Sequence, residues 1–299
     1  MNTLGFLFDD EVGTRIGHYV VEGSLGGGGM GVVYAARDAL SGHRVALKVV
    51  RADSGAARAA RHARLQLLRE AWILSRIQHP NVVRLLEVGT AREVVFMAMA
   101  LVEGTDLFAW LRGAHSWREI VEVFATAGRG LAAVHDVGVV HRDFKPSNVL
   151  VGHDGSVCLT DFGLAVPAGE GEAVEGFVIG TRKYMAPEHR DGLRASRLED
   201  QFSFCAALEE GLSAFRSSGG GSGGPPEQLW QALHRGTRID PKERYTSLRE
   251  LLDVLTEVLR TGHSTVEEQP RTDSRRMQTG PDPQSESTAV VAPVLRSRG

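Results

Sequence analysis

Between two apolar segments the chain reads His141-Arg142-Asp143-Phe144-Lys145-Pro146-Ser147-Asn148, so a carboxylate, an ammonium and a carboxamide fall in one short loop. Three such groups can face a single phosphoryl-transfer centre. Other stretches carry groups suited to the same chemistry. Gly26, Gly28 and Gly31 of GGGGMG stand at GxGxxG spacing with Val33 two residues beyond, and glycines let backbone N–H groups approach a polyphosphate unhindered. Lys48 lies among valines in VALKVV, Glu70 in LQLLREAWILSRI, and Asp161 opens Asp161-Phe162-Gly163. Each has a plain structural alternative: a flexible hairpin turn, an outward-facing strand charge, or a solvated helix face.

The elements that must position these residues follow from periodicity. From Ile16 to Val50 the order strand, glycine turn, strand, polar turn, strand reads as an antiparallel meander. A strand follows the glycines, whereas a dinucleotide-binding fold would place a helix there. Leu65, Leu68, Ile73 and Ile77 give the next segment a helical period, which the sequence Gln78-His79-Pro80-Asn81 ends. VVRLLEV and VVFMAMALV add two strands, making five strands and one helix. After Asp106 the chain turns mainly helical. Ser116 and Glu119 form an S-x-x-E capping box before a helix through Ile120, Phe124, Leu131 and Val134, and that helix delivers the chain to HRDFKPSN. Short strands VLVG and SVCLT, joined by the turn His153-Asp154-Gly155, lead to Asp161. A second capping box, Ser247 to Glu250, opens a last helix with Leu251, Leu252, Leu255 and Leu259 on its apolar side.

A chain of 299 residues, 42% hydrophobic and 24% charged, has the composition of a globular protein with a substantial core. A formal charge of -3 with interspersed signs argues against nucleic acid as a partner. The N-terminal MNTLGFLFDDEVG lacks a basic start and a cleavage site, and no apolar run reaches bilayer length, so no membrane segment is expected. Cys158 and Cys205 stand apart without metal or disulfide spacing, which suits a reducing compartment and leads to a cytoplasmic assignment. Cys158 reads as a packed small hydrophobe. Neither composition nor motif specifies an oligomeric state.

Taken in order, the glycine loop, VALK, the helical Glu70, HRDFKPSN, Asp161-Phe162-Gly163 and Ala186-Pro187-Glu188 resemble a eukaryotic-type protein kinase, over about residues 16 to 258. The wording GGGGMGVVYAARD and DQFSFC resembles the bacterial serine/threonine kinases. The resemblance implies an α+β, two-lobed protein-kinase fold: a small antiparallel N-lobe with one helix over residues 16–102, and a mainly helical C-lobe over residues 103–258. It further implies ATP and Mg²⁺, with Mn²⁺ as an alternative ion, and a protein substrate carrying a Ser or Thr acceptor. In that resemblance Asp143 accepts the hydroxyl proton, Lys145 offsets phosphoryl charge, and Asn148 and Asp161 hold the metal. Lys48, paired with Glu70, grips the nucleotide phosphates under Gly26, Gly28 and Gly31. Met99 occupies the gatekeeper position, Ala100 and Val102 offer backbone to adenine, and Val33, Ala46 and Leu150 sandwich it. Asp106 falls beside the ribose, or simply caps the next helix. Leu74, Leu85, His141 and Phe162 map to an apolar spine, Arg244 to the partner of Glu188, and Gly180-Thr181 to serine/threonine specificity, with Thr181 bonding Asp143 and Lys145.

Two departures stand out. Residues 164–179, LAVPAGEGEAVEGFVI, contain no Ser, Thr or Tyr, although Arg142 usually accompanies a phosphate on that segment. One of Glu170, Glu172 and Glu175 is therefore expected to replace the phosphate in part, giving basal activity without phosphorylation; the alternative is a solvated acidic loop. After Asp200-Gln201-Phe202, a Gly/Ser insert over 216–226 stands where a surface helix of the family is expected. Residues 1–15 read as an extension and 259–299 as a disordered tail whose serines and threonines are candidates for autophosphorylation. The rival functional reading is a pseudokinase, an ATP-binding scaffold without transfer.

Overall fold

A computed structural model describes residues 12–28, 31–51, 57–92, 94–170, 183–190, 194–217 and 224–261. The first part is a six-stranded sheet in the order β1-β2-β3-β4-β6-β5, every pair antiparallel. Its strands are β1 (Arg15–Ile16), β2 (Tyr19–Gly28), β3 (Gly31–Asp38), β4 (Arg44–Arg51), β5 (Leu85–Ala91) and β6 (Val94–Ala100). The five expected strands are present. The sixth, β1, is two residues long, too short to show a period, and it starts the ordered sheet one residue before Ile16.

Apolar residues are buried on both faces of the sheet, and the period-2 alternation sorts them into two clusters. Val45, Leu47 and Val49 of β4 join Phe96 and Ala98 of β6 and Tyr19, Val21 and Tyr34 in one apolar cluster. Val50, Val95, Met97 and Met99 belong to the other cluster, with Leu67, Ile73 and Leu74 of helix α1 (Ala57–Ser75). This corrects two expectations for α1. The helix begins at Ala57 and ends at Ser75, before Ile77, and Leu65 and Leu68 point outward at 57% and 38% exposure while Leu67 is 2% exposed.

The second part follows β7 (Gly104–Asp106). It comprises α2 (Leu107–Trp110), α3 (Trp117–Asp136), β8 (Val139–Val140), β9 (Val149–Gly152), β10 (Val157–Leu159), β11 (Val166–Pro167), α4 (Pro187–Arg190), α5 (Arg197–Ser217), α6 (Glu227–Gly236) and α7 (Leu248–Thr261). The Ser116 capping box is complete: Ser116 Oγ accepts from the Glu119 N–H, and the Glu119 carboxylate accepts from the Ser116 N–H. In the second predicted box, Ser247 Oγ accepts from the Glu250 N–H, but the Glu250 carboxylate reaches Thr246 instead of Ser247. Helix α5 is the axis of this lobe, with Phe204, Cys205, Ala207, Leu208 and Leu212 all at 0% exposure. It runs to Ser217, two residues into the predicted insert, and α6 begins at Glu227 with Pro226 at its N-cap. Residues 218–223, the middle of the insert, lie outside the described residues. Helix α7 reaches Thr261, three residues past the expected boundary at 258. Among the described residues no helix is long and apolar enough to cross a membrane.

Candidate active site

Strand register assembles the upper wall of the cleft. Lys48 is directly opposite Val33 on β3 and Met97 on β6, and Ala46 is opposite Met99. Because Val45, Leu47 and Val49 turn into the outer apolar cluster, alternation sends Ala46 and Lys48 to the cleft side. Glu70 comes from α1, whose Ala71, Ile73 and Leu74 pack beneath the sheet and aim its carboxylate inward. Lys48 Nζ donates to Glu70 Oε2 at 2.6 Å and lies 3.6 Å from Asp161 Oδ1. Burial alone would lower the Lys48 pKa, but the carboxylates of Glu70 and Asp161 outweigh it and hold the ammonium above its ordinary value. Burial pushes Glu70 up against the pull of Lys48. These directions conflict, the first favouring the ion pair and the second opposing it. The 2.6 Å contact decides for the ionised pair, while Asp161 favours the charge on Lys48 and not that on Glu70.

The lower wall is built on the hairpin β9–β10. Its register sets Val149 opposite Leu159, so Asn148 and Asp161 flank the hairpin's open end, and Thr160 N–H donates to the Asn148 carbonyl at 2.9 Å. Strand β7 adds to the same sheet with Asp106 opposite Leu150. The Asp106 side chain caps α2, accepting from Ala109 N–H at 2.7 Å, and the residue also lines the cleft.

Asp143 is held by its own loop. Lys145 Nζ donates to Asp143 Oδ2 at 2.6 Å, and Asn148 Nδ2 donates to the same oxygen at 3.1 Å and to the Asp143 carbonyl at 2.9 Å. The loop is anchored from behind by Asp200, the fourth residue of α5, fully buried. Asp200 Oδ2 accepts from His141 N–H and bonds the His135 ring, both at 2.8 Å, while Oδ1 accepts from Arg142 N–H at 2.8 Å. Burial would raise this carboxyl, but the His135 hydrogen bond and charge and the contacts from His141 hold it below its ordinary value. Arg142 and Asp161 adopt positive φ, 66° and 61°, a strained choice for residues with side chains. The His141 ring, at 0% exposure, meets the Phe162 ring edge-on at 4.9 Å between centroids. Leu74 is buried in the same apolar cluster as Phe162, and Leu85 packs against that cluster.

These pieces enclose a cleft of ≈ 830 Å³ between the sheet and the helical part. It brings together Gly26, Gly31, Val33, Ala46, Lys48, Glu70, Met99, Ala100, Val102, Asp106, Asp143, Lys145, Asn148, Leu150 and Asp161. Gly28 ends β2 opposite Gly31. Thr181 lies outside the described residues. Sequence reasoning did not single out Leu25, Val83, Leu101, Ser147, Thr160 and Leu164, which also line the cleft, nor the anchor Asp200. Cys158 is buried with Sγ 3.4 Å from the Pro80 carbonyl, and burial raises its thiol pKa, as fits packing.

A model of the protein kinase domain matches residues 19–257. The chain belongs to the protein kinase family. Among relatives of this kinase domain, serine/threonine-protein kinase PknH of Mycobacterium tuberculosis (strain ATCC 25618 / H37Rv) is 31% identical over 266 residues, covering 81% of the chain and 42% of that protein. PknE of the same strain is 33% identical over 235 residues, covering 78% and 39%. The kinase pkn2 of Myxococcus xanthus is 35% identical over 196 residues, covering 63% and 23%. The chain thus spans less than half the length of these curated relatives. The α+β, two-lobed architecture expected of the kinase family is the one observed. Its Glu188–Arg244 link is also present: the guanidinium donates to the carboxylate in a two-pronged pair at 2.5 and 2.8 Å, buried beneath α5. Arg142, by contrast, finds its carboxylate neighbour on α5, where Glu199 Oε2 lies 3.7 Å from Arg142 Nε. Glu170 is exposed, and Glu172 and Glu175 lie outside the described residues.

Proposed function

We propose that this kinase domain transfers the γ-phosphoryl group of ATP, with Mg²⁺, to a serine or threonine hydroxyl of a protein. The observation that carries the reading is the Asp143 carboxylate, bonded by Lys145 and Asn148 and opening on the same cleft as the Lys48–Glu70 pair and Asp161. The donor set fits a nucleotide: a glycine edge, one fixed ammonium above, a second below, and apolar residues from β3, β4 and β9 farther in. It also fits Mg²⁺, which takes one or two protein oxygens and completes its shell with phosphate and water. Asn148 and Asp161 would hold that ion, which when bound neutralises charge on the phosphate oxygens.

Each residue then has a defined task. Lys48, kept in place by Glu70, binds phosphate oxygens through its ammonium. Val33, Ala46, Met99 and Leu150 exclude water from the apolar end of the cleft, where the Ala100 and Val102 backbone offers hydrogen bonds to the base and Asp106 one to the ribose. Asp143 orients the acceptor hydroxyl and takes its proton as the new O–P bond forms, and Lys145 offsets charge on the moving group. Thr181 completes this assignment as a partner of Asp143 and Lys145. Support for a serine/threonine acceptor comes from Lys145 beside Asp143 and from the named relatives. Basal activity without a loop phosphate belongs to the same reading, because residues 164–179 offer no acceptor. So do a cytoplasmic location, suggested by the free, buried Cys158 and Cys205, and autophosphorylation of the C-terminal tail.

Loss of Lys48, Asp143, Asn148 or Asp161 would favour the pseudokinase alternative, and all four are present and line the cleft. The test is transfer from labelled ATP with Mg²⁺ by wild type, Asp143→Ala and Asp161→Asn. Expected is labelling by wild type and a drop of at least about 100-fold in each variant. Equal labelling in all three overturns the assignment.

A further inference from the structure

The charges around Arg142 have no task in the chemistry above. Its side chain is 14% exposed, and Glu199, 2% exposed on the first turn of α5, lies 3.7 Å away. The same carboxylate oxygen is 3.1 Å from His189 Nδ1 on α4, and the other accepts from Ser196 N–H at 2.8 Å. Arg142 Nε and Glu199 Oε2 are both buried, and neither makes an aligned hydrogen bond. Charge rather than hydrogen-bond direction therefore holds this pair. A buried carboxylate needs such a counter-charge, and a guanidinium cannot give up its own charge in return.

Glu199 is followed directly by Asp200, which takes the backbone N–H groups of His141 and Arg142. Helix α5 thus grips Arg142 twice, by its main chain and by its side chain, and the next residue in the loop is Asp143. Meanwhile Glu170, on the segment after the Asp161-Phe162-Gly163 turn, is exposed and engages Pro167 and Ala195 through main-chain hydrogen bonds. We propose that Glu199 is a positioning residue for Asp143. It is the built-in counter-charge of Arg142, mounted on a buried helix, and it holds the catalytic loop in working geometry without any charge from the activation segment. The inference rests on the phosphoryl-transfer reading and competes with the expectation that Glu170, Glu172 or Glu175 does this.

The experiment uses the full chain, with labelled ATP and Mg²⁺, following transfer to the chain itself and to casein. Glu199→Gln is expected to lower the maximal rate about 10- to 100-fold while the half-saturating ATP concentration changes less than about twofold, and Glu199→Asp is expected to recover part of the rate. The triple variant Glu170→Gln/Glu172→Gln/Glu175→Gln and phosphatase-treated wild type are expected to stay within about twofold of wild type. Without nucleotide, hydrogen exchange at the His141 and Arg142 amides is expected to accelerate in Glu199→Gln, while the middle of α3 keeps its protection. An unchanged rate in Glu199→Gln, or a tenfold loss in the triple variant or after phosphatase, overturns the proposal. If Glu199→Gln lacks a cooperative melt, the triple variant and the phosphatase arm decide. If wild type and Asp143→Ala transfer equally, the phosphoryl-transfer reading is what fails, and unaccelerated exchange in Glu199→Gln would then separately reject the hold on the loop.

Discussion

Lys48 and Glu70 show how much one residue's meaning depends on its partner. Replacing Glu70 by Gln leaves the ammonium only Asp161, at 3.6 Å, so Lys48 is expected to swing toward the metal side of the cleft. The predicted result is a fall in kcat/KM for ATP of about 10- to 100-fold with little change in melting temperature, read from initial rates and a thermal melt. Asp200 makes a prediction with a definite pH sign. Its folded-state pKa is depressed, so the stability it contributes is present above the ordinary carboxylate range, near ~4, and is lost as pH falls through the lower folded value. Asp200→Asn should therefore destabilise by about 2–3 kcal/mol at neutral pH, with the gap from wild type narrowing in denaturant titrations at successively lower pH. At this scale the chemistry-bearing residues were legible because their types and spacing are short-range. The anchors were not: Glu199 and Asp200 act on a loop almost 60 positions earlier, and nothing local in Leu198-Glu199-Asp200 announces that.

At the level of elements, the capping box of α3 and the β9–β10 hairpin could be read because their signals are local. Helix α1 misled because its buried face carries a carboxylate, Glu70, while Leu65, Leu68 and Trp72 face outward, so its hydrophobic pattern runs against its packing. Strands of two or three residues, such as β1 and β7, carry no period at all. Helix α3 offers a test in which propensity and packing disagree. Alanine is the better helix former by about 1 kcal/mol, but a Cβ at Gly130 would run into the Asn81 carbonyl oxygen, which belongs to the main chain and cannot rotate away. Gly130→Ala is therefore expected to destabilise by about 1–3 kcal/mol in a denaturant melt; a stabilised variant would mean that α3 does not pack on the Asn81 turn.

Over the whole molecule, long-range pairs close what the short motifs begin. Arg244 joins Glu188 and also donates to the carbonyls of Arg238, Leu198 and Ile239, tying α4, α5 and the approach to α7 into one buried knot. Glu188→Ala strands a guanidinium inside that knot and is expected to cost about 3–5 kcal/mol of unfolding free energy, measured by chemical denaturation. The two-lobed plan was legible from the order of periodicities, whereas the short stretch of sequence between Ser217 and Glu227 was legible only as a gap in an expected pattern. The Asp200 anchor also has a meaning in the order of synthesis. Every cleft residue named here precedes position 165, yet the carboxylate that fixes His141 and Arg142 stands at position 200, and the Arg244 clasp later still. A nascent chain therefore carries these cleft groups before it holds the carboxylate and the guanidinium clasp that fix the loop and the lobe around them.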